Sequence, residues 1–192
     1  MIPSRAEIIN STVGGVRLLL FKPDGLQRLT RDGGAAWRSF FALILSLPAL
    51  FFLLEGLRGT FALEEPGLHF YGLWLLTETV IWLAYPVLLL TMSRQLPLRM
   101  RVPFFIQALN WLLLPAQYLA LAVGWLSKST LLPHDLTEAL NVVVGIWVLV
   151  AEWWLARRIL AVGAGQAALL ILLHFMLGYA LTTWALGRTA VL

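Results

Sequence analysis

Residues 102–126 read VPFFIQALNWLLLPAQYLALAVGWL, a run of 25 residues without a charged side chain. A hydrocarbon core about 30 Å thick needs roughly 20 apolar residues in a helix, so this stretch predicts a transmembrane helix. Four more runs of similar length stand before and after it in the chain. The five predicted spans are Trp37–Leu57, Leu68–Met92, Val102–Leu126, Leu136–Leu155 and Gly163–Leu186.

The composition agrees with this interpretation. Of the 192 residues 60% are hydrophobic and only 12% are charged, and the mean hydropathy is +0.82. A soluble domain of this length cannot bury so much apolar surface, which excludes a cytosolic enzyme, a nucleic-acid-binding domain and a disordered tail. The segments between the spans are short and favour antiparallel neighbours. The sequence therefore predicts an all-α fold, a polytopic membrane bundle of five transmembrane helices.

The basic residues predict the orientation. Eleven of the 14 Lys and Arg residues lie before or at the start of the first span, or in the second and fourth connecting segments. Since such residues mark cytoplasmic loops, we expect a cytoplasmic N-terminus and a C-terminus on the periplasmic side.

Residues 1–36 are predicted to be a unit distinct from the five-helix domain of residues 37–192. Ile9, Val13, Val16 and Leu20 recur at helical spacing, as in an amphipathic helix that lies in the membrane interface. Two interpretations stay open. The segment is a stub against the lipid headgroups, or it is a docking platform for protein partners or anionic lipids.

Three ionisable residues are predicted to lie at membrane depth within the spans, where charge is costly: Glu78, Glu152 and His174. Aromatic residues flank Glu78 on one helix face and predict a desolvated, protonated carboxyl group with His174 as its nearest partner. These aromatic residues are Tyr71, Trp74, Trp82 and Tyr85.

Amides extend this polar set. Gln107, Asn110 and Gln117 share a face of the third span, and Asn141 shares one with Glu152 in the fourth. Because lipid offers no hydrogen bonds, both faces are expected to turn inward, with the first span at the lipid-facing periphery. The predicted polar core is Glu78, Gln107, Asn110, Gln117, Asn141, Glu152 and His174. It is either interhelical hydrogen-bond glue, with Glu152 paired to a nearby arginine, or the centre of a transport site.

Motifs of membrane enzymes are absent from the sequence. The chain has no Cys, and none of its three His residues stands in a His-Glu-x-x-His pattern. We therefore expect no catalytic, metal-binding or cofactor-binding residues and no nucleic-acid partner.

A resemblance to a known family covers the start of the chain. The segment Phe21-Lys22-Pro23-Asp24-Gly25, with Trp37-Arg38-Ser39-Phe40 opening the first span and Leu47-Pro48 inside it, resembles bacterial members of the Ypt-interacting-protein (Yip) domain family. Those proteins have five spans and a cytoplasmic N-terminus. The Asp-Leu-Tyr-Gly-Pro element of eukaryotic members is missing here. The resemblance implies a non-enzymatic organising or accessory protein, without site residues to transfer.

These observations lead to one leading hypothesis and two alternatives. The leading hypothesis is a non-enzymatic inner-membrane scaffold, adaptor or accessory subunit that contacts lipids, other membrane proteins or a second copy of itself. The first alternative is a small proton-coupled transporter or channel centred on Glu78 and His174. The second is lipid or quinone handling along the aromatic stripe from Tyr71 to Tyr85.

Overall fold

Every regular element that the structure describes is a helix. The computed structural model describes residues 2–58, 68–93, 101–128 and 132–189. Five segments in those ranges are long and apolar enough to cross a bilayer, which confirms the predicted all-α bundle. The helices are α1 (Arg5–Leu19), a 3-10 helix (Pro23–Arg28), α2 (Ala35–Arg38), α3 (Phe41–Arg58), α4 (Leu68–Ser93), α5 (Val102–Lys128), α6 (His134–Leu160) and α7 (Ala164–Thr189).

The largest difference from the predicted spans is at the end of α6, which continues to Leu160 instead of ending at Leu155. Arg157 and Arg158 belong to this last turn. Their guanidinium groups lie over the rings of Trp153 and Trp154, one turn back, at 5.0 and 5.1 Å. Such a pair covers an aromatic face while the charge stays at the surface, so the two arginines extend the helix rather than end it.

Helix α5 is the central element and packs against α1, α3 and α6. Arg101, just before α5, donates from Nη1 to the carbonyl oxygen of Leu160 at 3.2 Å, which places the start of α5 beside the end of antiparallel α6. We call this end of the bundle the basic end, and the opposite end, where α5 finishes and α6 begins, the far end. From 102 to 116 most α5 side chains are buried, and from 117 to 127, the rest of the helix whose side chains the structure describes, only Val123 is.

Helices α3 and α4 take different neighbours, α3 packing on α5 and α4 mainly on α7. They meet near the far end, where Leu54, Phe70 and Trp74 form a small apolar cluster. The Tyr71 hydroxyl also donates to Glu55 across this junction. Two consecutive helices with different partners leave space between them.

The N-terminal segment is packed against the bundle. Gly15 is so close to α5 that a Cβ atom there would lie 1.9 Å from the Trp111 carbonyl oxygen. The end of α1 is held as well, because Trp147 of α6 donates from Nε1 to the Leu19 carbonyl at 2.9 Å. Trp111 and Trp147 lie at nearly the same height, since α5 and α6 are in antiparallel register. Helix α1, about 22 Å long, therefore lies across the bundle rather than along it.

The exposed side of α1 is the predicted apolar face. Ile9, Val13, Val16 and Leu20 are all exposed, and the buried side consists of smaller residues with Leu18 and Leu19. Leu18, Leu19 and Leu29 belong to the same hydrophobic core as α5, so residues 1–36 share the core of residues 37–192 rather than forming one of their own. An exposed apolar face on a helix across the bundle is the arrangement that an interfacial helix requires. Its position in a membrane stays a prediction.

Candidate functional site

The seven predicted polar residues do not form one core. The structure divides them among a cavity, a buried pair and two anchors of the N-terminal segment. Glu78, Gln117 and Asn141 line the cavity. Glu152 and His174 form the pair. Gln107 and Asn110 are the anchors.

The cavity has a volume of about 850 Å³ and lies in the far half of the bundle, bordered by α3, α4, α5 and α6. It occupies the space left where α3 and α4 take different neighbours. Leucines and aromatic residues form most of its wall. Such a mostly apolar pocket with a few polar groups, between helices of a bundle, is typical of a small-molecule site.

Glu78 lines this cavity at mid-helix, ten residues after the start of α4. Its side chain is half-buried, and it makes no hydrogen bond or ion pair within the described part of the chain. Gln117 is half-buried and Asn141 is exposed, and neither side chain makes a hydrogen bond to the described residues. The polar face of the fourth span was expected to turn inward. Glu152 is buried as expected, but Asn141 is exposed, because at Asn141 α6 faces the cavity rather than a neighbouring helix.

Trp74, one turn before Glu78, is 8% exposed and also lines the cavity. Its Nε1–H group is buried and has no hydrogen-bond partner among the described residues. An indole N–H can only donate, and a buried donor without an acceptor costs roughly 1–3 kcal/mol. The aromatic stripe of α4 thus divides. Tyr71 and Trp74 face the cavity, whereas Trp82 and Tyr85 belong to the central core.

Glu152 and His174 form a packed cluster nearer the basic end. Glu152 is 2% exposed, and its Oε2 lies 2.8 Å from His174 Nδ1. The His174 ring stacks on Tyr85 with centroids 4.4 Å apart, and the Tyr85 hydroxyl donates to the Leu170 carbonyl at 3.1 Å. Each polar group of this cluster is in contact with another side chain or a carbonyl, so the cluster joins α4, α6 and α7.

This pairing corrects two expectations. His174 was the expected partner of Glu78, but it binds Glu152 instead, and Glu152 pairs with no arginine of the described residues, which do not include Arg94 and Arg99. The reason lies in the register of α4 and α7. Tyr85 meets His174, and Ile81 faces Gly178, so Glu78 lies about two turns, roughly 10 Å, farther along α4. Trp82 lies between Glu78 and Tyr85 along α4.

Two amides of α5 hold the N-terminal segment. Gln107 donates from Nε2 to the Thr30 carbonyl at 2.9 Å. Asn110 donates from Nδ2 to Ser39 Oγ at 2.9 Å, and the Ser39 hydroxyl in turn donates to the Ala36 carbonyl. All three side chains are buried. The amides thus act as predicted for interhelical glue, although their partners lie in the segment before α3.

Sequence reasoning did not identify the ion pairs of this segment. Arg38 donates from Nε to both Glu7 carboxylate oxygens at 2.9 Å, and from Nη2 to Asp32 at 2.6 Å. The Arg38 hydrogen bond, with a second from the Gly34 amide, holds the pKa of Asp32 below its ordinary value. A separation of 31 residues between Glu7 and Arg38 has no periodic signal in the sequence.

The first span is less peripheral than expected. Helix α3 packs on α5 through the buried residues Ala42, Ser46 and Ala49. Helix α7 exposes a larger share of its side chains, among them Leu169, Leu172 and Tyr179. Helix α7 therefore has the smallest buried share of the five candidate spans.

Within the described residues, no group of three His, Asp or Glu side chains is arranged to hold a metal ion. Comparison of the chain with protein-family models, curated proteins and solved structures gives no match. The site is therefore interpreted from its own geometry.

Proposed function

We propose that this chain is a non-enzymatic protein of the bacterial inner membrane that acts as a scaffold, adaptor or accessory subunit through its N-terminal segment. The observation that carries the proposal is the rigid placement of α1. The helix is fixed to α5 and α6 at Gly15 and Leu19, while its apolar side remains uncovered. A rigid apolar surface loses little conformational freedom when it binds a partner.

The distribution of basic side chains supports a cytoplasmic location for this end. The exposed basic residues near it are Arg5, Lys22, Arg28, Arg31, Arg101, Arg157 and Arg158. Positive charge beside the membrane marks the cytoplasmic side and attracts anionic headgroups. We accordingly propose that the N-terminus is cytoplasmic, the C-terminus periplasmic, and that lipids, other membrane proteins or a second copy are the partners.

The likeness to bacterial Yip-domain proteins is part of the same proposal. The residues that carry it lie at the junction of the N-terminal segment and the bundle. Phe21 packs edge-on against Trp147 and Trp154, and Asp24 pairs with Arg17. Trp37 and Arg38 end α2 just before α3. If related chains share this junction, it would hold α1 in the same position in them.

Site-specific photo-crosslinking in intact cells tests the proposal. A photoreactive residue at position 13, on the exposed face of α1, is expected to give a discrete product with a membrane protein or a second copy. The same residue at position 172, on the exposed face of α7, serves as the matched lipid-facing control. Equal products from both positions, or none from position 13, would contradict a specific platform.

A double variant, Ile9→Asn with Val16→Asn, should weaken co-purification of that partner by at least tenfold. Each side chain that a partner buries contributes about 1.5–3 kcal/mol. The thermal midpoint of the isolated protein should stay constant because both side chains are exposed. Leu172→Asn is the matched control and should leave the partner bound.

A carrier or channel is the second candidate, and one observation favours it, the position of Glu78 beside a cavity at mid-helix. An acid at this depth is typical of proton pathways. In proteoliposomes under a potassium diffusion potential, proton flux should then fall strongly in Glu78→Gln. His174→Ala should change flux less, because His174 is bound to Glu152. Equal flux in the wild type and Glu78→Gln would exclude this candidate.

A further inference from the structure

The geometry points to a ligand site in the far-half cavity. The ligand is a neutral, single-chain membrane amphiphile, and the cavity takes its polar head and part of its chain. The head carries both a hydrogen-bond acceptor and a hydroxyl donor. This inference does not depend on the accessory role proposed above.

Trp74 supplies the first half of the argument. The residue lines the cavity, and its indole N–H is buried without an acceptor in the described chain, so a ligand oxygen reaches the N–H group when the indole turns toward the cavity. A buried donor of this kind is normally satisfied by protein, water or a ligand. A carbonyl or ether oxygen in the cavity would remove the desolvation cost that the folded chain leaves uncompensated.

Glu78 supplies the second half. It lies one helical turn from Trp74 on the same cavity wall, so the two groups are about 6 Å apart along the axis. Its carboxyl group has no hydrogen-bond or ion-pair partner among the described residues. A ligand hydroxyl would satisfy it. Gln117 and Asn141, which also line the cavity, can donate or accept as the head requires.

The lining also decides the charge of the ligand. Glu78 is the one acidic residue among the described lining residues, and none of them is basic. A phosphate or carboxylate head would face Glu78 without a compensating cation, in a region where charge is expensive. A neutral head avoids this repulsion.

Depth favours a small head, and a volume of about 850 Å³, within the range of pockets that hold one drug-sized molecule, favours one chain rather than two. Trp74 and Glu78 lie six and ten residues from the start of α4, or about 9 and 15 Å along a helix that exceeds the hydrocarbon thickness by roughly 10 Å. A head that reaches both groups therefore sits below the phosphates of neighbouring lipids. The leucine-rich wall from α3 and α5, which includes Leu50 and Leu121, would contact an alkyl chain.

The test uses the full chain in nanodiscs of phosphatidylcholine doped with one of three probes that share an 18-carbon chain, and native mass spectrometry measures which probe is retained. 1-Monooleoylglycerol carries a carbonyl and hydroxyls, methyl oleate a carbonyl alone, and octadecene neither. We expect retention in that order. Equal retention of octadecene and monooleoylglycerol would overturn the proposal, because the polar groups would then contribute nothing.

Matched variants assign each contact. Trp74→Phe keeps the ring and removes the N–H group, and should lower retention of both monooleoylglycerol and methyl oleate by about five- to tenfold. Glu78→Leu should lower retention of monooleoylglycerol alone. Trp37→Phe makes the same substitution at an exposed tryptophan outside the cavity and should change neither.

Two results would overturn the assignment. If Trp74→Phe retains monooleoylglycerol like the wild type, the indole N–H is satisfied by water and not by a ligand. If oleylamine is retained more tightly than monooleoylglycerol and loses this advantage in Glu78→Gln, the head is cationic and the neutral ligand class is wrong. The thermal midpoint of each variant, measured without probe, reports whether it folds.

Discussion

The two halves of α5 contain similar residues in opposite surroundings. From Val102 to Ala116 the helix is enclosed by α1, α3 and α6, and its amides Gln107 and Asn110 are buried and hydrogen-bonded. From Gln117 to Ser127 it borders the cavity, and Gln117 makes no hydrogen bond to the described residues. In the first half polar side chains fix segments to one another, whereas in the second they face a space that another molecule can fill.

The same contrast separates the two membrane-embedded glutamates. Glu152 is enclosed and bound to His174, whereas Glu78 lines the cavity without a partner among the described residues. Buried polar groups that are satisfied stabilise a unique packing, and unsatisfied ones mark sites that accept ligands. Depth in the membrane alone therefore does not identify a functional carboxyl group.

The largest expected effect concerns the tight contact in the enclosed half. In Gly15→Ala the added Cβ would lie 1.9 Å from the Trp111 carbonyl oxygen, so α1 must move away from α5. We expect a loss of about 3 kcal/mol in the free energy of unfolding, since backbone cannot yield as a side chain would. Chemical denaturation in detergent measures it.

Gly145→Ala is the control for Gly15→Ala. Gly145 is also helical, but a Cβ atom added there would meet no atom of a neighbouring described segment within 4 Å. Helix propensity then favours alanine by about 1 kcal/mol. A similar loss in both variants would show that α1 and α5 are not in close contact.

The next largest effect should come from the buried pair. His174→Ala leaves Glu152 enclosed without its partner and removes the ring stacked on Tyr85, so we expect a loss of about 2–3 kcal/mol in unfolding free energy. Glu78→Ala should cost much less. A double-mutant cycle of His174→Ala with Glu152→Gln should give a coupling of about 1 kcal/mol. Zero coupling would mean that the two residues do not interact.

A smaller effect compares two amides of the same helix. Asn110→Ala removes the bond to Ser39 and should lower the unfolding free energy by about 1 kcal/mol. Gln117→Ala, the matched change in the cavity half, should stay within about 0.5 kcal/mol because it breaks no hydrogen bond to the described residues. Equal losses would contradict the division of α5 into two halves.

The smallest effect is a pH dependence at the edge of the enclosed half. The pKa of Asp32 lies below its ordinary value of 3.8 because Arg38 donates to the carboxylate. Because the pKa is lower in the folded state, the stabilisation that the Asp32–Arg38 pair contributes is complete above pH 3.8. It disappears as the pH falls through the folded-state pKa of Asp32. The protection factors of the amides of residues 32–38, corrected for the pH dependence of the intrinsic exchange rate, should therefore fall slightly in acid. Asp32→Asn should remove this step, and an unchanged step would assign it to another group.

Much of the fold can be predicted from the sequence because span length and polarity are local properties. The predicted start of α5 agrees with the structure at Val102. The inward stripe of α7, including Ala167, Ile171 and His174, also follows from helical spacing. The end of α6 differs because two arginines fold back over tryptophan rings, a contact that hydropathy does not include.

The candidate site was predicted only in part. The ionisable residues Glu78, Glu152 and His174 stand out in the sequence because the bilayer disfavours them. Which two of them pair depends on the register of α4 against α7, and register involves residues that are far apart in the chain. The buried N–H group of Trp74 could not be predicted, since an indole becomes unsatisfied only when its surroundings are known.

The sequence by itself determined the class of the protein, its five spans and the small set of polar residues inside them, because apolar length and the cost of buried charge act residue by residue. Only the tertiary structure decided that α1 lies across α5, that Glu152 binds His174, and that Glu78 lines a cavity. The physical reason is that hydrogen bonds and close packing require two surfaces to meet, and the order of residues along one chain does not specify which surfaces meet.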